Sequence, residues 1–282
     1  MTDEARGIVS GESDCLPPYP GEVHPNPVLA IARGFVFFFW TLYCVSAVLV
    51  ARGLSRELVA KRERSRHWTH RWLKRCVRIV GVEVAVFGES PPQGVMLTPN
   101  HLGYLDIVSL GSVYPTFFVA KAEIESWPFF GFLFRAGDHI GIARNRRRDV
   151  LAVKERIRER LEDKQTLCVF LEGTSTGGNR LLPFHSSLLQ PGLDAGAHVV
   201  PVALAWRANR PGLRVIDDVA YWGGHVFLRH LWRVMGLRGI AVDIRFGDPI
   251  DTAGLERRDV AGRAREQVAA MLQEMGVQLE EE

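Results

Sequence analysis

From Gly34 to Ala51 the chain reads GFVFFFWTLYCVSAVLVA, 18 residues without a charged side chain. At ~1.5 Å per residue a helix over this run is about 27 Å long, enough to cross most of a bilayer core. A membrane helix over residues 28–51 is therefore expected, with a buried core helix as the alternative. A cleaved signal peptide fits less well. Leu49 stands two residues before the cut expected after Ala51, where a small side chain is wanted, and 33 residues precede the apolar run.

The flanks give a direction. Residues 1–27 hold five acids and five prolines with little apolar periodicity, which reads as a disordered tail. Between Arg52 and Arg78 there are ten Lys and Arg against Glu57 and Glu63, whereas Arg6 and Arg33 are the only ones before the apolar run. The positive-inside rule then puts the C-terminal domain on the cytoplasmic side of an inner or cytoplasmic membrane. Leu54, Leu58, Trp68, Trp72, Leu73 and Val77 are interleaved with the basic residues. Residues 52–80 thus suit a basic amphipathic helix on an anionic lipid surface; the alternative is a solvated helix packing its apolar side on the domain.

Residues 81–282 alternate strand and helix. Val82–Phe87, Gly94–Thr98, Thr116–Ala120, His139–Ala143, Thr166–Leu171, Val199–Ala205 and Ile240–Phe246 read as strands. Helices are expected from Ile107, over Trp127–Arg135, around Val150, Val153, Ile157 and Leu161, and over Leu255–Met275. This pattern predicts an α/β fold, a mostly parallel sheet covered by helices. The net charge of +3 is too small to argue for nucleic acid. Cys15, Cys44, Cys76 and Cys168 are scattered, with no paired spacing and no His at ligand distance in sequence. Neither a metal site nor a disulfide framework is indicated, and a reducing compartment fits.

Chemistry is expected where strands end. After the apolar run Gly94–Thr98 comes Asn100-His101-Leu102-Gly103-Tyr104-Leu105-Asp106. If loop and first helical turn fold back, Asp106 accepts a hydrogen bond from one ring nitrogen of His101 and leaves the other as a base. With nine His in the chain the spacing alone is weak. A second strand ends in Glu172-Gly173-Thr174-Ser175-Thr176-Gly177, where Glu172 can orient a substrate hydroxyl or hold the loop through its N–H groups. The same stretch matches GxSxG, the nucleophile elbow of serine hydrolases. That motif needs a helix after Ser175, and Gly177, Gly178, Asn179 and Pro183 oppose one. Arg144, first of four arginines behind the strand ending at Ala143, is a phosphate-binding candidate. Lys121, Arg180 and His185 are weaker cationic candidates, with a surface role as the alternative for Arg180 and His185.

In this order the segments resemble the glycerolipid acyltransferase family, whose best-known members acylate lysophosphatidic acid. Asn100-His101 to Asp106 is similar to its NHxxxxD block, and Gly141–Arg144 to its second block. Glu172-Gly173-Thr174 is similar to its third block, FPEGTR, and Val199-Val200-Pro201-Val202 to its fourth. The resemblance spans Gly81 to Phe246. It implies that His101 is the general base for the acceptor hydroxyl and that Asp106 orients and charge-stabilises it. It also implies direct attack on an acyl thioester without an acyl-enzyme. Arg144 and the Glu172-Gly173-Thr174 loop would hold the acceptor's head. The implied partners are membrane lipids, a lysolipid acceptor and acyl-CoA or acyl-carrier protein as co-substrate, with no further cofactor. Leu171 replaces the family's Pro, and Ser175 replaces the Arg thought to grip a phosphate. The continuation Gly178 to Phe184 looks more like branches that acylate other lysolipids, including lyso-ornithine lipid. Either Arg144 or Arg180 replaces the missing charge, or the acceptor lacks a terminal phosphate. The competing classes are a membrane-anchored serine hydrolase using Ser175 and a non-enzymatic lipid-binding protein.

Overall fold

The computed structural model describes residues 23–127, 129–142 and 147–280. Most of the expected tail and Arg144 lie outside them.

The uncharged run forms α1, Pro27–Gly53, longer at both ends than its apolar centre. Asn26 caps it by accepting from the Leu29 N–H at 3.0 Å, and Pro27 occupies the first turn, where a missing N–H costs nothing. The chain breaks after Gly53 and restarts as α2, Leu58–Val80, which packs antiparallel-fashion beside α1 through Trp72, whose indole donates to Thr41 at 2.9 Å. Gly81 ends α2 at φ +80°, and a Cβ there would strike the Arg33 guanidinium. Leu73, Cys76, Val77 and Val80 of α2 are buried, while Leu54 and Leu58 are exposed. The Leu73 and Val77 side of the basic helix therefore faces the domain.

The sheet has seven strands in the order β1-β7-β6-β2-β5-β3-β4. They are β1 Val82–Phe87, β2 Met96–Pro99, β3 Phe117–Lys121, β4 Ile140–Ile142, β5 Leu167–Val169, β6 Val199–Ala208 and β7 Ile240–Phe246. All neighbours are parallel except β6 and β7. The first and last strands in sequence, β1 and β7, match the sequence expectation residue for residue. Side chains alternate between two cores, as a period of two requires. Leu97 and Phe118 face a layer with α2, α3 (Tyr104–Val113) and α7 (Phe227–Gly236). Met96 and Phe117 face a layer with α5 (Arg147–Glu162), α6 (Gln190–Asp194) and α8 (Arg257–Glu274).

Two differences from the sequence reading have clear causes. The helix expected over Trp127–Arg135 is α4, Phe130–Ala136, behind a 3₁₀ turn at Ala122–Ser126, because Trp127, the residue before a proline in the sequence, is extended at φ −74°, ψ 125°. The stretch from Val215 to Gly236, which carries a π-helical turn at Val215–Val219 and then α7, was not anticipated. Its apolar residues are punctuated by Gly223 and Gly224 and mixed with arginines, so neither period stands out.

Candidate active site

β2 lies at the sheet centre between β5 and β6, with Leu97 opposite Cys168 and Pro99 opposite Val202. Running both parallel strands four residues on from Leu97 and Cys168 brings His101 and Glu172 together. The His101 N–H donates to Glu172 Oε1 at 2.7 Å, and the Leu182 N–H donates to Oε2 at 2.9 Å. Asn100 fastens the other side. Its amide donates to the Leu204 carbonyl at 3.2 Å and accepts from the Leu204 N–H at 2.8 Å, extending the ladder between β2 and β6 through a side chain.

His101 Nδ1 lies 2.8 Å from Asp106 Oδ2. That oxygen also accepts the N–H groups of Leu102 at 2.6 Å and Gly103 at 2.9 Å, while Oδ1 accepts the Trp206 indole N–H at 2.8 Å. Asp106 is fully buried in the first turn of α3, where a negative charge is favoured. An ionised carboxylate only accepts, so it keeps the proton on Nδ1 and leaves Nε2 as the acceptor. The ring is held from below by Phe170, stacked at 4.0 Å between centroids. Gly103 has φ +148°, and a Cβ there would lie 2.7 Å from Tyr221 Cβ, so the turn between His101 and Asp106 needs glycine twice over.

The His101 side chain is 20% exposed. It opens on a groove of about 670 Å³ with far more apolar than polar wall, built by Val48 of α1, Trp72 of α2, Tyr104, Phe130 and Phe227 among others. Gly173, Thr174 and Ser175 line it beside His101, and Lys121 lines it from the end of β3. Lys121 is the one Lys or Arg among the described residues that do so.

Other expected residues are placed differently. Glu172 sits behind the groove, 3% exposed, with both oxygens taken by loop N–H groups, the arrangement of the loop-holding one of its two expected roles. Burial pushes its carboxyl up to about 7, against the two N–H donors that lower it, and the Asp106 charge adds to the rise. Arg180 is exposed and does not line the groove; its carbonyl accepts from the Thr176 hydroxyl at 3.2 Å. His185 is exposed too, its N–H bonded to the Leu171 carbonyl. Ser175 donates its hydroxyl to the Tyr221 carbonyl at 2.6 Å, and no helix follows it.

Sequence reasoning missed Trp206, Phe170 and the segment around Tyr221. Trp206 gave one signal: an indole on a central strand needs an acceptor for its N–H, and a buried carboxylate supplies it. Tyr221 gave none, since its N–H bond to the Leu102 carbonyl at 2.8 Å links positions 119 residues apart.

This arrangement, an aspartate-oriented imidazole at the mouth of an apolar groove, belongs to an enzyme that transfers acyl groups. The acyltransferase family model matches residues 83–205, and the chain belongs to this family. It is 36% identical over 213 residues to a lyso-ornithine lipid O-acyltransferase of Pseudomonas aeruginosa, covering 75% of this chain and 79% of that one. It is 34% identical over 185 residues to a 1-acyl-sn-glycerol-3-phosphate acyltransferase of Neisseria gonorrhoeae, covering 64% and 69%. The crystal structure of the 1-acyl-sn-glycerophosphate acyltransferase PlsC from Thermotoga maritima shares the fold. Its TM-score is 0.69 at 18% identity, over 91% of this chain and 98% of that one.

Proposed function

We propose that this chain is a membrane-associated O-acyltransferase that moves a fatty acyl group from acyl-CoA or acyl-carrier protein to a lysolipid hydroxyl. The observation that carries this is the placement of His101, its Nδ1 locked on Asp106 and its side chain open to an apolar groove. The acceptor hydroxyl gives its proton to Nε2 as its oxygen attacks the thioester carbonyl carbon. The tetrahedral oxyanion then collapses, the C–S bond breaks, and the departing thiolate takes the proton from the imidazolium. Asp106 stabilises the imidazolium, and no acyl-enzyme forms.

Membrane association is supported by α1. In its most apolar 18-residue window only 17% of residues are buried, so it is not a core helix of the protein itself. Both ends are tied to the same domain. Arg33 donates to the Met235 and Leu237 carbonyls, and Arg52 to the Ala136 carbonyl at 3.3 Å. This supports a helix lying along the domain and dipping into one leaflet rather than crossing to the far side. The basic residues of residues 52–80 then favour the anionic cytoplasmic leaflet.

Within this reading a phosphate-free acceptor such as lyso-ornithine lipid gains support from Ser175. Its side chain is a short neutral tie to Tyr221, and among the described residues Lys121 is the one Lys or Arg on the groove wall. The test is acyl transfer from both thioester donors to lysophosphatidic acid and lyso-ornithine lipid, by wild type and Ser175→Ala. Acylated lysolipid from both proteins is expected, with lyso-ornithine lipid the better acceptor. Release of free fatty acid alone, abolished by Ser175→Ala, would replace this reading with a serine hydrolase.

A further inference from the structure

α7 is amphipathic in the wrong sense for a helix facing water. His230, Val234 and Met235 point inward, whereas Leu228 and Trp232, one turn apart on the outer face, are 69% and 46% exposed, and Val226 just before the helix is 65% exposed. Soluble helices put polar residues there.

The surface continues on both sides. The Phe227 ring packs on Trp127 and Phe130 at 5.3 and 5.0 Å between centroids, joining α7 to the start of α4, where Trp127, Phe129 and Phe132 are exposed. At its other end α7 is fixed to α1 by the Asn26 N–H bond to the Gly236 carbonyl, next to Arg33. All three elements also line the groove, through Phe37, Trp127 and Leu231, so the exposed apolar side chains ring its mouth. Charge narrows the occupant. Residues 27–53, 127–137 and 223–239 contain no Asp or Glu and six Arg, of which Arg135, Arg229 and Arg238 are exposed. Arg233 is already paired with Asp218, but two copies of the chain meeting here would bring the exposed Arg135, Arg229 and Arg238 together with no carboxylate from these stretches to pair them. A bilayer rich in acidic lipids offers hydrocarbon to Leu228 and Trp232 and phosphates to the arginines.

We infer that the outer face of α7, with the exposed Trp127, Phe129 and Phe132 side chains, forms a second membrane-contact surface beside the exposed face of α1 that seats the groove mouth on an anionic bilayer. This rests on the lysolipid reading, because its consequence is delivery of acceptor to His101 from within the leaflet. α1 supplies attachment; α7 sets how the groove meets the lipid.

The experiment uses the full chain as wild type, Leu228→Asp/Trp232→Asp and Arg229→Glu. Both sets change exposed side chains outside the groove wall, and unchanged thermal unfolding checks the fold. Transfer is measured to long-chain lysolipid in phosphatidylglycerol or phosphatidylcholine vesicles, and to a short-chain, water-soluble lysolipid. The double variant is expected to raise the apparent KM for vesicle acceptor by about 10-fold or more on both lipids, leaving kcat/KM for the soluble acceptor unchanged. Arg229→Glu should raise it on phosphatidylglycerol alone. A spin label at Leu228→Cys, expected to become oxygen-accessible on vesicles, reads the contact without turnover. If wild type transfers no acyl group, the lysolipid reading fails while the label still tests the surface. An unchanged vesicle KM with a label that stays water-exposed overturns the proposal, as does a dimer in solution that the double variant dissolves.

Discussion

The β2–α3 loop and the groove wall meet at His101 and are built in opposite ways. In and around the loop each functional polar group is held by several partners: Asp106 by four donors, Asn100 by both backbone groups of Leu204, and Glu172, which reaches the loop from the end of β5, by two backbone N–H groups. The wall has few polar bonds and is assembled from stretches far apart in sequence, among them α1, α2, α3, α4, α7 and the sheet. Redundant hydrogen bonding fixes one imidazole orientation, and a mostly apolar wall accepts a chain of variable length without demanding a partner for each atom. Reaction and recognition are thereby separated, and substitutions in the two regions should fail differently.

The sharpest break in the loop is Asp106→Asn. With its NH₂ toward His101 the amide opposes the Leu102 and Gly103 N–H groups and no longer holds Nδ1 as a donor, so the tautomer with the proton on Nε2 gains. With its NH₂ the other way it opposes the Trp206 indole N–H. Either way the charge that stabilises the imidazolium is gone, and kcat should fall by about 10³- to 10⁴-fold with KM little changed, by steady-state kinetics. On the wall, Val48→Phe should leave short acyl donors unaffected and lower kcat/KM for the longest by about 10-fold, since a few methylenes are lost from the pocket. Competition between donors of different length reads this directly. A uniform loss at every length would contradict the separation.

The smallest effect is on stability. Glu172 titrates near 7 in the folded chain, above its ordinary value. Between those values the folded state binds more protons than the unfolded one. The contribution is full at low pH and is lost as pH rises through about 7. Denaturant unfolding at pH 5, 6, 7 and 8 should show a fall in stability that Glu172→Gln does not share.

The same contrast explains what could be read in advance. The His101–Asp106 pair was legible because the loop is local: five residues, one glycine and a helix start place both groups, and the strand ends on either side follow from runs of β-branched and apolar residues. Glu172 was visible as a strand-end carboxylate, but its role required the register of β2 against β5, a long-range property. The wall was hardly legible. Phe227 and Trp127 look like any apolar residues in sequence, and they line a groove only because the packing of α7 on α1 and the Trp127 turn brings them together. The apolar run was seen at once, yet the ties of Arg33 and Arg52 to the domain, which argue for α1 lying along it, join residues 202 and 84 positions apart.

The central claim is that His101 Nε2 takes the proton of the acceptor hydroxyl. The direct test is kcat and KM for His101→Ala beside Ser175→Ala, with saturating acyl thioester and a lysolipid the wild type uses. The expected result is a loss of about 10²- to 10⁴-fold in kcat for His101→Ala, KM values near wild type, and an active Ser175→Ala. A His101→Ala enzyme that turns over like wild type would contradict it.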